Sequence, residues 1–569
     1  MKTRRYKVNP YRHYLLLALV SVGFVSLLGR VAFLQLVKSD FLQTEGDARF
    51  LRTVEVPAYR GTIVDRNNEP LAISTPVESV WAKPSELLLD PQAIAKLADV
   101  LEIDGGKLRQ QLVARQDKAF TYLKRRINPE VASQILLEDF PGVGLMPEYQ
   151  RFYPAGEVAS HLVGFTNIDD EGQEGLELAH TDTLRGEPGA KRVIKDGRQR
   201  IVETVENIRS PAHGDNLQLT IDRRIQYLAY RELKAAVKQH NAKSGSIIVL
   251  DNQTGEVLAM TNQPSYNPNN RRRLKAKNLR NRAATDVFEP GSTIKPFVIA
   301  AALESGRYSV DSTINTAPGL FQVGTHSVRD MHDYGVLDMT GILRKSSNIA
   351  AAKIALDIEP ESLHGVLTQA GLGTTTGSGF PGEVSGFLAD HKRWKDLERA
   401  TLAFGYGVST TLLQLADAYS IFANDGYKMP LSLVQNTGPV DKQQVLNRSV
   451  ARSVRLMMES VVQEGGTAPA AAVSGYRVAG KTGTVHKSVA GGYSKDRYLA
   501  TFVGMAPASQ PRLIIAVVIN EPSREEYFGG VVAGPVFSKV MTGALRLLNV
   551  PPDNIPLLQT RGSASEEPA

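Results

Sequence analysis

One segment near the start of the chain restricts the rest more than any other. Tyr14 to Gly29 carries no charge and is mostly Leu, Val, Ala and Phe, and Val31 to Val37 continues the apolar run after a single Arg30. A helix over residues 14–37 is long enough to cross a hydrocarbon layer of about 30 Å. Lys2, Arg4, Arg5, Lys7 and Arg12 precede the run, whereas Asp40, Glu45 and Asp47 follow it. That bias predicts a cytoplasmic tail over residues 1–13, an anchor over 14–37, and all later residues on the far side of the membrane. No small-x-small cleavage site follows the run, which favours a retained anchor over a signal peptide. Arg30 has two readings: a side chain that snorkels to the headgroups, or the partner of a polar group on another membrane helix.

The 569 residues suffice for more than one domain, and 42% hydrophobic with 22% charged residues is ordinary for a folded chain. A net charge of +7 is mild. It suits an anionic neighbour such as a membrane surface or a cell-wall polymer without requiring nucleic acid. With no cysteine, thiol catalysis and cysteine metal sites are excluded. The ten histidines contain no H-E-x-x-H, so nothing supports a metal-dependent hydrolase. The basic run Asn269 to Arg282 lacks interleaved aromatics and reads as a solvated loop rather than a nucleic-acid patch.

Residues 38–214 mix strand-like and short helical pieces without a catalytic cluster. From Asp215 the pattern sharpens. Leu217 to Ile221 alternates like a half-buried strand, and Arg223 to His240 has apolar residues at helical spacing. Ser246 to Met260 reads as two strands around the turn Asn252-Gln253-Thr254-Gly255. A strand, a helix and a hairpin point to an α+β fold with an antiparallel sheet. The Pro/Ser/Glu-rich end, residues 551–569, is expected to be disordered.

Gly475 to Thr482 satisfies G-x-x-x-x-G-K-[ST], the phosphate-cradling loop of nucleotide hydrolases. That loop needs a helix starting at its Lys-Thr. Here a second glycine and Thr484-Val485 follow, which predicts a strand running into a loop, with Gly475 as a turn residue.

A better chemical rationale begins at Ser292. Glu289-Pro290-Gly291 predicts a turn and Phe297 to Leu303 a helix, so Ser292 sits at a helix N-terminus with Lys295 on the same face. A serine hydroxyl becomes nucleophilic when a base takes its proton, and a lysine of lowered pKa serves. The plain alternative is a capping serine and a surface lysine. Its company decides against that. Ser346-Ser347-Asn348 supplies S-x-N and Lys481-Thr482-Gly483 supplies K-T-G, and the ordered set belongs to penicillin-binding proteins and serine β-lactamases. Ser265-Tyr266-Asn267 and Lys243-Ser244-Gly245 fit the same patterns but precede Ser292 and break the order. Ser346 and Asn348 are suited to proton relay and to holding a substrate amide. Lys481, Thr482 and Thr484 are suited to a carboxylate, and the N–H groups of Ser292 and Thr484 to an oxyanion.

From about Arg60 to Met541 the chain resembles a class B penicillin-binding protein, most closely the cell-division D,D-transpeptidase of the FtsI type. The resemblance also rests on RGTIVDRNNEPLAIS (Arg60 to Ser74), on Arg151 to Glu177, and on EPSREEYFGGVVAGPVF (Glu521 to Phe537). One departure is Asn68, where the family usually has glycine; asparagine tolerates the positive φ a turn there needs. The resemblance implies a five-stranded antiparallel sheet with helices on both faces (residues 215–550). This is set on an elongated, dimerisation-type mixed α/β pedestal (residues 38–214). It implies attack by Ser292 on the D-Ala-D-Ala bond of a peptidoglycan stem peptide, with Lys295 as base. Ser346, Asn348 and Lys481 assist, and Thr482, Gly483 and Thr484 bind substrate. An amine of a neighbouring stem then resolves the acyl-enzyme, cross-linking septal wall. β-Lactam antibiotics acylate the same serine, no cofactor or metal is implied, and the usual partner is a membrane glycosyltransferase of the FtsW type. Tyr406, Tyr527 and Phe528 are read either as cleft-lining aromatics or as core packing. Alternatives on the same fold are a D,D-carboxypeptidase, a β-lactamase-type hydrolase, or an elongation-type transpeptidase. A β-lactam sensor is not expected, because such a sensor needs a signalling module across the membrane and about thirteen residues cannot form one.

Overall fold

The computed structural model describes residues 10–42, 44, 51–195, 201–272, 274–435, 438, 441–489, 491–523 and 526–554. The expectations for residues 1–9, for Glu45 and Asp47, and for residues 555–569 lie outside these. Pro10–Ala32 is an α-helix and Phe33–Val37 extends it by one wider turn, 28 residues that are long and apolar enough to cross a membrane. The Arg30 guanidinium lies 5.7 Å from the Phe33 ring centroid, a contact within the helix itself.

Two compact units form. The first takes the described residues of Met1–Tyr59, Thr75–Gln150 and Gly186–His213, and the second those of Arg60–Ser74, Arg151–Arg185 and Gly214–Ala569. In the first unit Leu51–Val56, Gly189–Lys195 and Ile201–Arg209 make an antiparallel sheet. Also in this unit, helices Pro91–Val100, Gly105–Val113 and Pro129–Glu138 bury Ile94, Leu97, Leu108, Leu112 and Ile135 with Val80 and Ile127.

Residues 60–74 and 151–185 precede the boundary expected at 215, yet they belong to the second unit. Glu177, fully buried, accepts from Arg60 Nε at 2.6 Å and Arg151 Nε at 2.7 Å. A buried carboxylate is tolerated only with such partners. Asp65 makes a tight turn by accepting from the N–H groups of Asn67 and Glu69, and Asn68 adopts φ 65° there.

The second unit is built on a five-stranded antiparallel sheet. We label its strands β1 (Ser244–Asp251), β2 (Val257–Gln263), β3 (Ala479–Val489), β4 (Gly492–Ala506) and β5 (Leu513–Asn520). Their order is β2-β1-β5-β4-β3, which leaves β3 at an edge. Every residue of β1 and β2 is buried, so both faces are covered. The coverings can be told apart on β1. A Cβ on Gly245 would meet Leu233 and Val237 of helix Arg223–Gln239. The next residue, Ser246, faces the other way and bonds Asn262, which in turn bonds Asn281 and the Ala283 N–H.

The helix expected from Arg223 and the hairpin around Asn252–Gly255 both form, with Gly255 at φ 75°. The half-buried strand over Leu217–Ile221 does not. Only Leu217–Gln218 is strand, paired in parallel with Ile63–Val64, and Leu219, Thr220 and Ile221 are all buried. Thr220 fits inside because its hydroxyl donates to Val257 O at 2.8 Å. The basic run is pinned rather than merely solvated. Arg271 donates to Thr166 O and lies over the Phe165 ring, and Arg282 pairs with Asp286. In the expected tail, Asp553 accepts from the Arg477 N–H and from Ser509.

The Asn68 turn yields a direct test. Asn68→Val is expected to cost about 1–2 kcal/mol, because a β-branched residue is forced to positive φ. Asn68→Gly is expected to be neutral or stabilising, as read by denaturant unfolding of the detergent-solubilised protein.

Candidate active site

Ser292 lies in a 3₁₀ turn, Gly291–Ile294, that leads straight into helix Lys295–Glu304. The sequence placed it in the first turn of an α-helix. In a 3₁₀ turn residues i and i+3 eclipse, so Ser292 and Lys295 still share a face. The turn is rigidly held: Gly291 takes φ 57°, the Thr293 hydroxyl donates to Pro290 O at 2.6 Å, and buried Tyr419 donates to Thr293 O at 2.7 Å. Gly291, Thr293 and Ile294 are buried, and Ser292 alone in the turn is partly exposed.

Lys295 is completely buried. Its Nζ donates to Asn348 Oδ1 at 2.7 Å, to Ser346 Oγ at 3.2 Å and to the Ser346 carbonyl. Lys481, also completely buried, reaches the same Ser346 Oγ at 3.0 Å and bonds Thr482 Oγ1 at 3.3 Å. Neither lysine meets a carboxylate within ion-pair distance among the described residues. Burial pushes Lys481 down to about 7, because an ammonium without solvent is penalised. Burial, and then the Lys481 charge, hold Lys295 well below the usual lysine value, with Asp330 opposing. A lysine kept neutral in this way is able to accept a hydroxyl proton.

The S-x-N segment is shaped by a residue that no motif announced. Asp330 accepts from Ser347 Oγ at 2.5 Å and from the N–H groups of Asn348 and Ile349 at 2.5 and 3.1 Å. It caps helix Asn348–Asp357 from outside that helix, and so fixes where Asn348 points. Ser346 closes the preceding helix, Met339–Lys345, in the left-handed region at φ 58°. A non-glycine residue is strained there, and such strain gathers at functional sites.

Strand β3 brings K-T-G beside the Ser292 turn. A Cβ on Gly483 would lie 3.0 Å from both Pro290 O and Thr293 Cγ2, and a Cβ on Gly291 would lie 2.3 Å from Val485 Cγ1 and 4.0 Å from Thr484 N. The Thr484 N–H therefore faces the turn that carries Ser292. Thr482 Oγ1 shares a 2.9 Å hydrogen bond with Thr467 Oγ1, and Thr484 Oγ1 accepts from Gly529 N at 2.9 Å. Beyond Gly529, Phe528 is 41% exposed and stacks on Tyr527, which stacks on Tyr498 of β4 at 4.0 Å. Tyr406 is half-buried, edge-on to Tyr493 at 5.3 Å. None of the three is a core residue.

A family profile described as the penicillin-binding protein transpeptidase domain matches residues 245–542, and one described as the penicillin-binding protein dimerisation domain matches residues 55–219. The peptidoglycan D,D-transpeptidase FtsI of Escherichia coli (strain K12) is 43% identical over 95% of this chain and 93% of its own. The chain belongs to the class B penicillin-binding proteins. The probable peptidoglycan D,D-transpeptidase PbpC of Pseudomonas aeruginosa is 41% identical over 96% of each chain. Among solved structures, penicillin-binding protein 3 of Mycobacterium tuberculosis, complexed with aztreonam, aligns with a TM-score of 0.69 at 29% identity. It covers 88% of this chain and 98% of that one. The apo transpeptidase domain of Burkholderia pseudomallei penicillin-binding protein 3 aligns at 0.55 and 44%, over 59% of this chain and 98% of that one.

For this class B penicillin-binding protein the phosphate-loop pattern is incidental. Lys481 lies inside a strand with no helix after it, and Gly475 takes φ 82° in a turn. The decoy motifs have structural work instead: Ser265 donates to Glu157 and Ser244 accepts from Asn520. Asp330, Thr467 and Tyr419 escaped the sequence reading because each acts through a partner distant in the chain. The hydroxyl pairing of Thr467 left no signal beyond the glycines, Gly465-Gly466, before it.

The buried lysines make stability depend on pH with a definite sign. For Lys481 the folded value is about 7 against 10.5 for an unperturbed lysine, so the unfolded chain holds more protons between these values. Stability contributed by this group therefore rises as pH rises through that window. Lys481→Met is expected to raise the melting temperature at pH 7 and to gain less at pH 9, measured as the difference from wild type by calorimetry.

Proposed function

We propose that the protein is a peptidoglycan D,D-transpeptidase of the cell-division type, anchored by its N-terminal helix in the inner membrane with the catalytic unit in the periplasm. The observation that carries this reading is the meeting of Lys295 and Lys481 on one hydroxyl, Ser346 Oγ, beside the Ser292 turn. In this reading Ser292 Oγ attacks the carbonyl of the penultimate D-Ala of a stem peptide while Lys295 takes its proton. The C–N bond breaks, and the departing D-Ala amine gains a proton relayed through Ser346. Asn348 holds the substrate amide, Lys481 with Thr482 and Gly483 holds the terminal carboxylate, and the N–H groups of Ser292 and Thr484 stabilise the oxyanion. A stem amine then attacks the ester, and Ser292 regains its proton as the C–O bond breaks.

A β-lactam is expected to enter the same path, with its strained amide in place of the dipeptide. Tyr406, Tyr527 and Phe528 border the cleft. The similarity to FtsI of Escherichia coli supports a septal role, and the partner of best fit is a membrane glycosyltransferase of the FtsW type. In chain order we read residues 38–214 as pedestal and 215–550 as transpeptidase, with segments 60–74 and 151–185 of the former folding into the second unit.

Labelling with a fluorescent penicillin tests the assignment. Ser292→Ala is expected to abolish covalent labelling with an unchanged melting temperature. Ser346→Ala is expected to slow acylation by about 10²–10⁴-fold, the range for losing a proton-transfer group. Labelling that survives Ser292→Ala would sink the site assignment. Given a D-Ala-D-Ala stem mimic and an amine acceptor, the protein is expected to yield the transfer product, whereas D-Ala release without transfer would mark a hydrolase.

A further inference from the structure

A carboxylate outside the lysine–serine network borders the nucleophile. Glu289 comes three residues before Ser292, directly ahead of the Pro290-Gly291 turn. One of its oxygens, Oε1, accepts two hydrogen bonds: from the Tyr493 hydroxyl at 2.9 Å and from the Gly407 N–H at 3.0 Å. The donors belong to separate segments, the far end of β4 and the loop after helix Asp396–Leu402. No lysine or arginine lies within ion-pair distance of Glu289 among the described residues. The carboxylate is used here as an acceptor rather than as half of an ion pair.

Both segments need such a tie. Leu499 to Ala506 of β4 pairs with β5, but Gly492 and Tyr493 pair only with the end of β3, opposite Val489 and Ser488. A two-stranded extension beyond the sheet is marginal without a tertiary contact, and the Tyr493 side chain is half exposed. The 405–407 loop bears directly on the nucleophile turn. Gly291 N donates to Gly405 O at 3.2 Å, and a Cβ on Gly405 would lie 2.1 Å from Gly291 O. The loop also carries Tyr406, whose ring packs edge-on against Tyr493 and Phe404. Three chain segments around Ser292 thus meet at a single oxygen atom.

We infer that Glu289 is a positioning residue for the acyl-transfer reaction, latching Tyr493 and the 405–407 loop to the nucleophile turn so that this wall of the substrate cleft is preformed. The inference rests on the proposed function. Glu289 touches neither lysine nor Ser346, so the chemical step keeps its machinery when the latch opens, and loss falls on substrate binding. Because one oxygen takes both hydrogen bonds, the single carbonyl oxygen of glutamine is able to replace it.

The test is stopped-flow acylation of the full chain in detergent by a fluorescent penicillin, separating the noncovalent Kd from the acylation rate constant. Glu289→Ala is expected to weaken Kd by about tenfold, the scale of one or two lost hydrogen bonds, while the rate constant changes less than about threefold. Tyr493→Phe, which keeps the ring and removes the donor, should weaken Kd in the same direction. Glu289→Gln should stay within about twofold of wild type. If Glu289→Gln is as damaging as Glu289→Ala, the charge acts and the latch is wrong. The latch is equally overturned if the loss falls on the rate constant, or if Kd is unchanged in both Glu289→Ala and Tyr493→Phe. Should Glu289→Ala fail to fold, Tyr493→Phe against Glu289→Gln decides. Wild-type protein that does not acylate at Ser292 would refute the proposed function itself, an outcome separate from these.

Discussion

Two buried lysines, neither with a carboxylate in ion-pair reach among the described residues, converge on the Ser346 hydroxyl. Placing two ammonium groups away from water and near each other is unfavourable, and the molecule answers by lowering the proton affinity of both. That tension makes a lysine here able to take up a proton from a hydroxyl group. It also dictates the surroundings. The hydroxyl and the Asn348 amide oxygen satisfy the lysine N–H groups, and Asp330 helps hold Asn348 by accepting hydrogen bonds at the start of its helix. The left-handed Ser346 lets one residue offer both its carbonyl and its hydroxyl to Lys295.

Glycine permits the approach of the segments that carry these groups. Gly483 allows β3 to lie against Pro290 and Thr293, Gly405 allows its loop to touch Gly291, and a Cβ on Gly529 would stand 2.4 Å from Gly483 O. A side chain in place of the K-T-G glycine would press on Pro290 O and Thr293 Cγ2, each 3.0 Å from a Cβ there. Edge strand β3 adds backbone groups that no other strand takes among the described residues. Ser292 then stands in a turn whose neighbours are all buried, which leaves it as the partly exposed residue there.

Much of this was legible in the chain because it is local. Helix Arg223–Gln239 follows from apolar spacing, the β1–β2 hairpin from its turn residues, and the membrane-length helix from an uncharged run. The S-x-x-K, S-x-N and K-T-G elements that the fold brings together are legible by their residue types and order. Asn68 at φ 65° bears out the turn expected where the family has glycine. Local reading failed where burial overrode pattern. Leu217 to Ile221 alternates in sequence, yet its last three residues are all enclosed, because Thr220 finds a backbone acceptor on β2. The basic run likewise looked free until Arg271 met Phe165 and Thr166.

The sequence by itself determined the composition of the site: one serine, two lysines, a second serine and an asparagine, spaced along elements able to present them. What only the tertiary structure decided is their state. Lysine is charged or neutral according to its solvent, and solvent is excluded by segments up to about two hundred residues apart in the chain. Asp330, Thr467 and Glu289 gain their meaning in the same way, since a hydrogen-bond acceptor acquires a role when the fold supplies its donor.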